Sequence, residues 1–150
     1  MNDKVETEMH RVLLMRPGEC AEIVEIDDSL ESMQSLVEGD IEEYMPFYDE
    51  SDHRIGDCAI VCNEEGKMRG MELNRGIVDE NGQLQDIIAG PFFICYAPIE
   101  SEKFLSMPPD LEEKMRQKFE KPQHFYKNGN HISIETYDQK VAEKQRTQER

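Results

Sequence analysis

The chain has 150 residues, 33 Asp and Glu against 17 Lys and Arg, and a formal net charge of −16, with 37% hydrophobic and 33% charged residues. That length fits one domain with a modest core, and no apolar run approaches the ~20 residues of a membrane helix. A balance this acidic repels a phosphate backbone, so direct nucleic-acid binding is not expected; the acidic start MNDKVETEMHRV lacks the basic-then-apolar pattern of a secretory signal, which makes the cytoplasm the expected location.

Residues 1–11 are polar and expected to be flexible, and the domain is expected over 12–122. VLLMR (12–16) ends at Pro17-Gly18, and CAEIVEI (20–26) alternates apolar and acidic residues with period two, so the pair predicts a β-hairpin. Asp28 with Glu31 forms a capping-box pattern. Leu30, Met33, Leu36 and Val37 then fall at helical spacing, with Gly39 where a left-handed C-cap would sit. Strands are expected at 41–47 and at CAIVC (58–62), on either side of the acidic loop YDESDHRIGD.

Turn signals follow at Asn63–Gly66 and at Asn81-Gly82, the strongest hairpin dipeptide in the chain. The segment 87–96 is the most apolar and reads as one bent strand, with a bulge or an edge position imposed by Gly90-Pro91. Asp110 with Glu113 begins a second capping box, Leu111, Met115 and Phe119 share one helical face, and Glu112 with Arg116 has the spacing of an i, i+4 pair. Lys121-Pro122 ends that helix. Residues 123–150 hold a short strand signal in HISIETYDQ and then almost no apolar side chains, so this stretch is expected to be a disordered or loosely ordered tail. The predicted class is α+β, a mainly antiparallel sheet with one helix after the first hairpin and a second near the C-terminus.

Cys20, Cys58, Cys62 and Cys95 each sit in or beside an apolar stretch, where a reduced thiol behaves as a small hydrophobe. Cys58 and Cys62 should share one strand face. Neither they nor His10, His53, His124 and His131 have metal-ligand spacing, so neither a metal nor a cofactor is expected.

The charge is unevenly placed: residues 1–110 hold 26 acids and 8 bases, residues 111–150 hold 7 and 9. Between Arg16 and Arg54 there are 13 carboxylates and no Lys or Arg. Glu22, Glu25, Asp28, Glu31, Glu38, Asp40, Glu42, Glu43, Asp49, Glu50 and Asp52, from that stretch, are the candidate partner-binding set. Because acids alternate there with apolar positions, folding should bury the apolar side chains and project the carboxylates on one contiguous face. Such a face suits a basic protein partner and, with regular spacing, imitates DNA; the competing readings are a merely solvated surface or loose divalent-cation binding.

No nucleophile elbow, Walker loop, dinucleotide fingerprint or zinc-protease motif occurs, so no catalytic residue is assigned. The chemically densest stretch, 63–90, brings Asn63, Glu64, Asn74, Arg75 and Asp86 within reach of a common pocket, where Arg75 with Glu64 or Asp86 could form a charge-assisted pair. The plain reading is that the asparagines satisfy turns and Arg75 fixes a loop.

The phrases VLLMRPGECAEIVEIDDSLESMQSLVEGDIE, AIVCNEEGKMRGMELNRGI and DIIAGPFFI resemble, in order and over about residues 12–96, the domain-of-unknown-function family three-eight-four-six of small phage and conjugative-element proteins. Matching positions include Pro17, Leu30, Gln34, Asn63, Glu64, Gly66, Asn74, Arg75, Asp86, Ile87, Gly90 and Phe93. The chain departs from the pattern at Met71-Glu72 and in an acidic insert between Tyr48 and Asp57. The resemblance implies a mobile-element setting and no particular activity. The expected function is therefore a non-catalytic acidic accessory protein of a phage or mobile element, binding a basic protein, nucleic-acid-binding or defensive in kind. The alternative is a small-ligand module or enzyme using Asn74, Arg75, Asp86 and Glu64.

Overall fold

The computed structural model describes residues 8–139. The first hairpin is β1 (Met9–Met15) and β2 (Glu22–Asp27), followed by α1 (Leu30–Val37), β3 (Ile41–Tyr44), a 3-10 turn (His53–Asp57) and β4 (Cys58–Asn63). Next come β5 (Leu73–Val78), β6 (Leu84–Ala89), β7 (Phe92–Tyr96), α2 (Pro109–Phe119), β8 (Gln123–Asn128) and β9 (His131–Thr136). The expected α+β class holds. A five-stranded antiparallel sheet runs in the order β2-β1-β7-β4-β3, beside two separate hairpins, β5-β6 and β8-β9. No helix among the described residues is long and apolar enough to cross a membrane.

Strand alternation divides the core in two. Leu13, Met15, Cys58, Ile60, Cys62, Phe92 and Ile94 face α2 and the β5-β6 hairpin, joining Ile77, Ile88, Leu111, Met115 and Phe119. Val12, Leu14, Ala59, Val61, Phe93 and Cys95 face α1 through Met33 and Val37. Cys58 and Cys62 do share a face, as period two requires, and all four cysteines are free.

Local signals placed the elements better than their ends. Asp28 is not the cap of α1: Ser29 is, its hydroxyl accepting from the Ser32 amide, while Asp27 accepts from the Ser29 amide. The left-handed residue is Glu38 (φ 65°), one position before Gly39. Glycine is needed at 39 for room, because a Cβ there would lie 2.6 Å from Asn63 Nδ2. At α2, Pro108 and Pro109 open the helix without a side-chain cap, in place of the expected capping box at Asp110. Glu112 pairs with Arg11 of β1, so Arg116 bonds Glu113 and Glu120 instead of Glu112.

The segment read as one bent strand is two. Gly90 at φ +83° and Pro91, which has no N–H, end β6 in the small hairpin and start β7 at the centre of the large sheet. β5 was hidden by Asn74, Arg75 and Gly76, polar or small residues that mask a strand pattern.

β1 begins at Met9, within the stretch expected to be flexible, and β8-β9 occupies 123–136, within the expected tail. The hairpin is tied to β5 and closed at its open end by its own flanks. Gln123 accepts from the Gly76 amide, the Tyr137 amide bonds Pro122 O, and the Tyr137 ring stacks on His124 at 4.0 Å. Residues 140–150, the rest of the expected tail, lie outside the described residues, as do residues 1–7.

Candidate functional site

Of the two sets of candidate residues, the pocket set is divided by the fold. Asn74 is fully buried, and its Nδ2 donates to Met15 O at the end of β1 and to Gly90 O in the turn before β7. Arg75 is also fully buried. Its Nε donates to Phe119 O, its Nη2 to Glu19 O, and its Nη1 to Asn74 Oδ1 at 2.8 Å. Neither Glu64 nor Asp86 reaches it, so the expected charge-assisted pair does not form. Burial pulls its pKa down to about 10, which leaves the guanidinium charged at neutral pH. Its charge is balanced by carbonyl dipoles, one of them from the last turn of α2, where the helix dipole presents its negative end. These two side chains pin the β5-β6 hairpin to the large sheet and to α2.

Asn63 is likewise occupied. Its amide caps the C-terminus of α1 by donating to Val37 O and Glu38 O, and its Oδ1 accepts from the Glu65 amide. Around it a small cleft of about 140 Å³ opens between β4 and β6, lined by Glu42, Cys62, Asn63, Glu64, Lys67 and Asp86 among others. Lys67 Nζ and Tyr44 OH both donate to the Asp86 carboxylate, the latter at 3.2 Å. The structure thus keeps Asn63, Glu64 and Asp86 together, adds Glu42, Cys62 and Lys67 to the lining and Tyr44 through its bond to Asp86, and removes Asn74 and Arg75 to the interior. Tyr44 and Asp86 are 42 positions apart, and no local pattern links them.

The chemistry of that cleft is subdued. Burial pushes the Cys62 thiol up to about 12, so it is protonated at neutral pH and a poor nucleophile. Burial, and then the neighbouring Asp86 carboxylate, also push the Tyr44 hydroxyl well above its ordinary range, which keeps it a donor. A larger cleft of about 420 Å³ lies between Phe47, Tyr48, the 78–80 turn and α2, with Lys114 and Lys118 on its rim. Lys114 is bonded to Asp52, and Lys118 lies 5.8 Å from the Phe47 ring centre. Of the predicted residues only Asp49 lines it.

The carboxylate set does not form the single contiguous face that alternation suggested. β2 and β3 are the opposite edges of the five-stranded sheet, four strand spacings or roughly 19 Å apart. Register also divides them by face. Glu22, opposite Leu14, and Glu43, opposite Val61, lie on the α1 side, whereas Glu42, opposite Cys62, lies on the α2 side. Asp28, Glu31 and Glu38 flank or ride on α1, and Asp40 accepts from Gln34. Beyond β3, Asp49 bonds Ser51, Glu50 is exposed, and Asp52 binds both Arg54 and Lys114. The acids therefore ring the sheet.

Their pairing is as uneven as their placement. Arg11, Arg54, Lys67, Lys114 and Arg116 all hold carboxylates, and apart from Asp52 every one of those carboxylates lies outside the base-free stretch. Arg16 reaches in only to Glu22. Among the described residues, Glu25, Glu31, Glu38, Glu42, Glu43 and Glu50 have no cation within ion-pair distance.

Asp28 meets the buried His10, whose Nδ1 lies 3.0 Å from Asp28 Oδ1. Burial is the dominant influence and pulls the His10 pKa below the ordinary 6.5, although Asp28 and Asp27 push it the other way. The contact at neutral pH is therefore one with a neutral ring. Below pH 6.5 the unfolded chain takes up a proton that the folded ring resists, so stability is whole above that pH and falls as pH drops through the window beneath it. Denaturant midpoints measured between about pH 7 and about pH 5.5 should fall in the parent chain and fall less in His10→Phe. Equal slopes would remove His10 as the cause.

A family model described as a domain of unknown function (DUF3846) matches residues 9–120. No curated protein and no solved structure matches the chain. The matched segment contains the large sheet, the β5-β6 hairpin and both helices, and stops before β8.

Proposed function

The chain belongs to the DUF3846 family, whose description names no activity, and from its charge distribution we propose that it is a non-catalytic acidic accessory protein of a phage or other bacterial mobile element, acting in the cytoplasm by binding a basic protein. The observation that carries this reading is the run of Glu25, Glu31, Glu38, Glu42 and Glu43, which among the described residues have no cation within ion-pair distance, while seven of the twelve Lys and Arg there are paired with carboxylates, all but Asp52 and Glu22 outside the base-free stretch. Unpaired like charges repel one another and cost stability, and a cationic partner relieves that repulsion on binding. Arrangement around two edges supports a partner that grips the sheet rim or one edge. It does not provide the regular double row that imitation of a duplex needs.

The test is capture from a bacterial lysate on the immobilised chain, followed by salt titration. Capture of a basic protein should weaken steeply as ionic strength rises, and Glu38→Lys, Glu42→Lys and Glu43→Lys together should abolish it. Capture insensitive to salt or to the triple reversal would contradict the reading.

A further inference from the structure

Among the described residues, each edge of the large sheet leaves a row of backbone N–H and C=O groups without a strand partner, and such edges are either guarded or used. β3 is four residues long, whereas β2 runs for six from Glu22 to Asp27, and at its start only the Ala21 amide is taken, by Glu120 O. Along β2 the sheet edge and α1 form an open groove of about 370 Å³, lined by Met9, Glu25, Asp27, Glu31 and Leu36 among others. Met9 is 53% exposed on one wall, and Glu25 and Glu31 have no cation among the described residues. Among the described residues, the groove therefore combines backbone without a strand partner, apolar footing and carboxylates with no cation within ion-pair distance.

We propose that this groove takes an extended, basic segment of the partner protein as a sixth strand on β2. The inference rests on the acidic-partner reading and specifies how that partner is held. Backbone bonds to β2 supply the affinity, and alternate side chains supply the selection. A segment alternating Lys or Arg with aliphatic residues sets its cations on the face of Glu25 and Asp27 and its apolar side chains on the α1 side, against Ile26 and Leu36. A second copy of the chain is a poor occupant, because an antiparallel pair centred on β2 would set Glu22 of each copy opposite Asp27 of the other. The opposing view of the same residues is that the acids only guard the edge against aggregation.

Two synthetic peptides of equal charge separate these views: an eight-residue alternation of Lys and Val, and the same composition interrupted by prolines that cannot continue a ladder. Fluorescence anisotropy with the full chain should show the alternating peptide binding at least about tenfold more tightly. Amide shifts on binding should concentrate in residues 22–27, and Glu25→Lys with Glu31→Lys should abolish binding, while the same charge change at Glu42 and Glu43 should reduce it much less. Equal binding of both peptides would overturn strand addition and leave the acidic-partner reading standing. Binding of neither would contradict both. A dimer dissociated by the Glu25 and Glu31 reversals would instead assign the edge to a second copy.

Discussion

Arg75→Ala is expected to lower the unfolding free energy by about 3–5 kcal/mol, from three buried acceptors left unpaired and the cavity opened where a large side chain stood. The guanidinium is fully buried and bonds Phe119 O, Glu19 O and Asn74 Oδ1, so truncation leaves those acceptors without water and opens a cavity between β5, α2 and the first turn. Against a total of about 5–15 kcal/mol for a domain of this kind, that leaves a marginal fold. Arg75→Lys should recover little, because a single ammonium cannot reach three acceptors in the directions that the planar fork does. Arg75→Met, which keeps most of the volume, should fall between Ala and the parent chain. Urea unfolding followed by far-ultraviolet circular dichroism measures all three, and an unchanged midpoint for Arg75→Ala would contradict the pinning role.

Phe92→Ala is expected to cost a comparable 3–5 kcal/mol, by a different physical route. Phe92 sits on the central strand β7, between Met15 of β1 and Cys62 of β4, and is fully buried. Its ring meets Phe119 of α2 edge-on at 6.3 Å, and Phe119 in turn meets Phe47 edge-on at 5.9 Å. Removing it creates a void that backbone relaxation cannot close, because neighbouring strands hold β7 on both sides. Hydrogen exchange should show the largest loss of protection in α2 and its neighbours, with α1, on the opposite face of the sheet, less affected. Uniform loss would mean that the two halves of the core unfold as one unit.

The two variants also show where the sequence stopped being informative. Phe92 lies in the most apolar segment of the chain, and an interior position follows from that alone. The sequence offers Arg75 in two roles, a pocket residue paired with Glu64 or Asp86 and a clamp that fixes a loop, and no local pattern chooses between them. The fold instead offered carbonyls from residues 19 and 119, both more than forty positions away. Asn63 followed the same course, its amide taken by the end of α1. The cleft that does form draws on Tyr44, Glu42 and Lys67, whose meeting depends on β3, β4 and β6 being brought side by side.

Period-two and helical spacing, turn dipeptides and prolines determined by themselves the α+β class, the first hairpin, both helices, the buried face of α2 and the common face of Cys58 and Cys62, because each of these depends on residues within a few positions of one another. The absence of bases between residues 17 and 53 was likewise complete in the sequence. Tertiary structure decided what that charge looks like in space. By sending β2 and β3 to opposite edges of the sheet with α1 crossing between them, it turned one acidic stretch into a ring with two rims. Strand order depends on contacts between distant segments, which local propensity does not encode, and the same long-range pairing buried Arg75 and split one apolar run between two sheets.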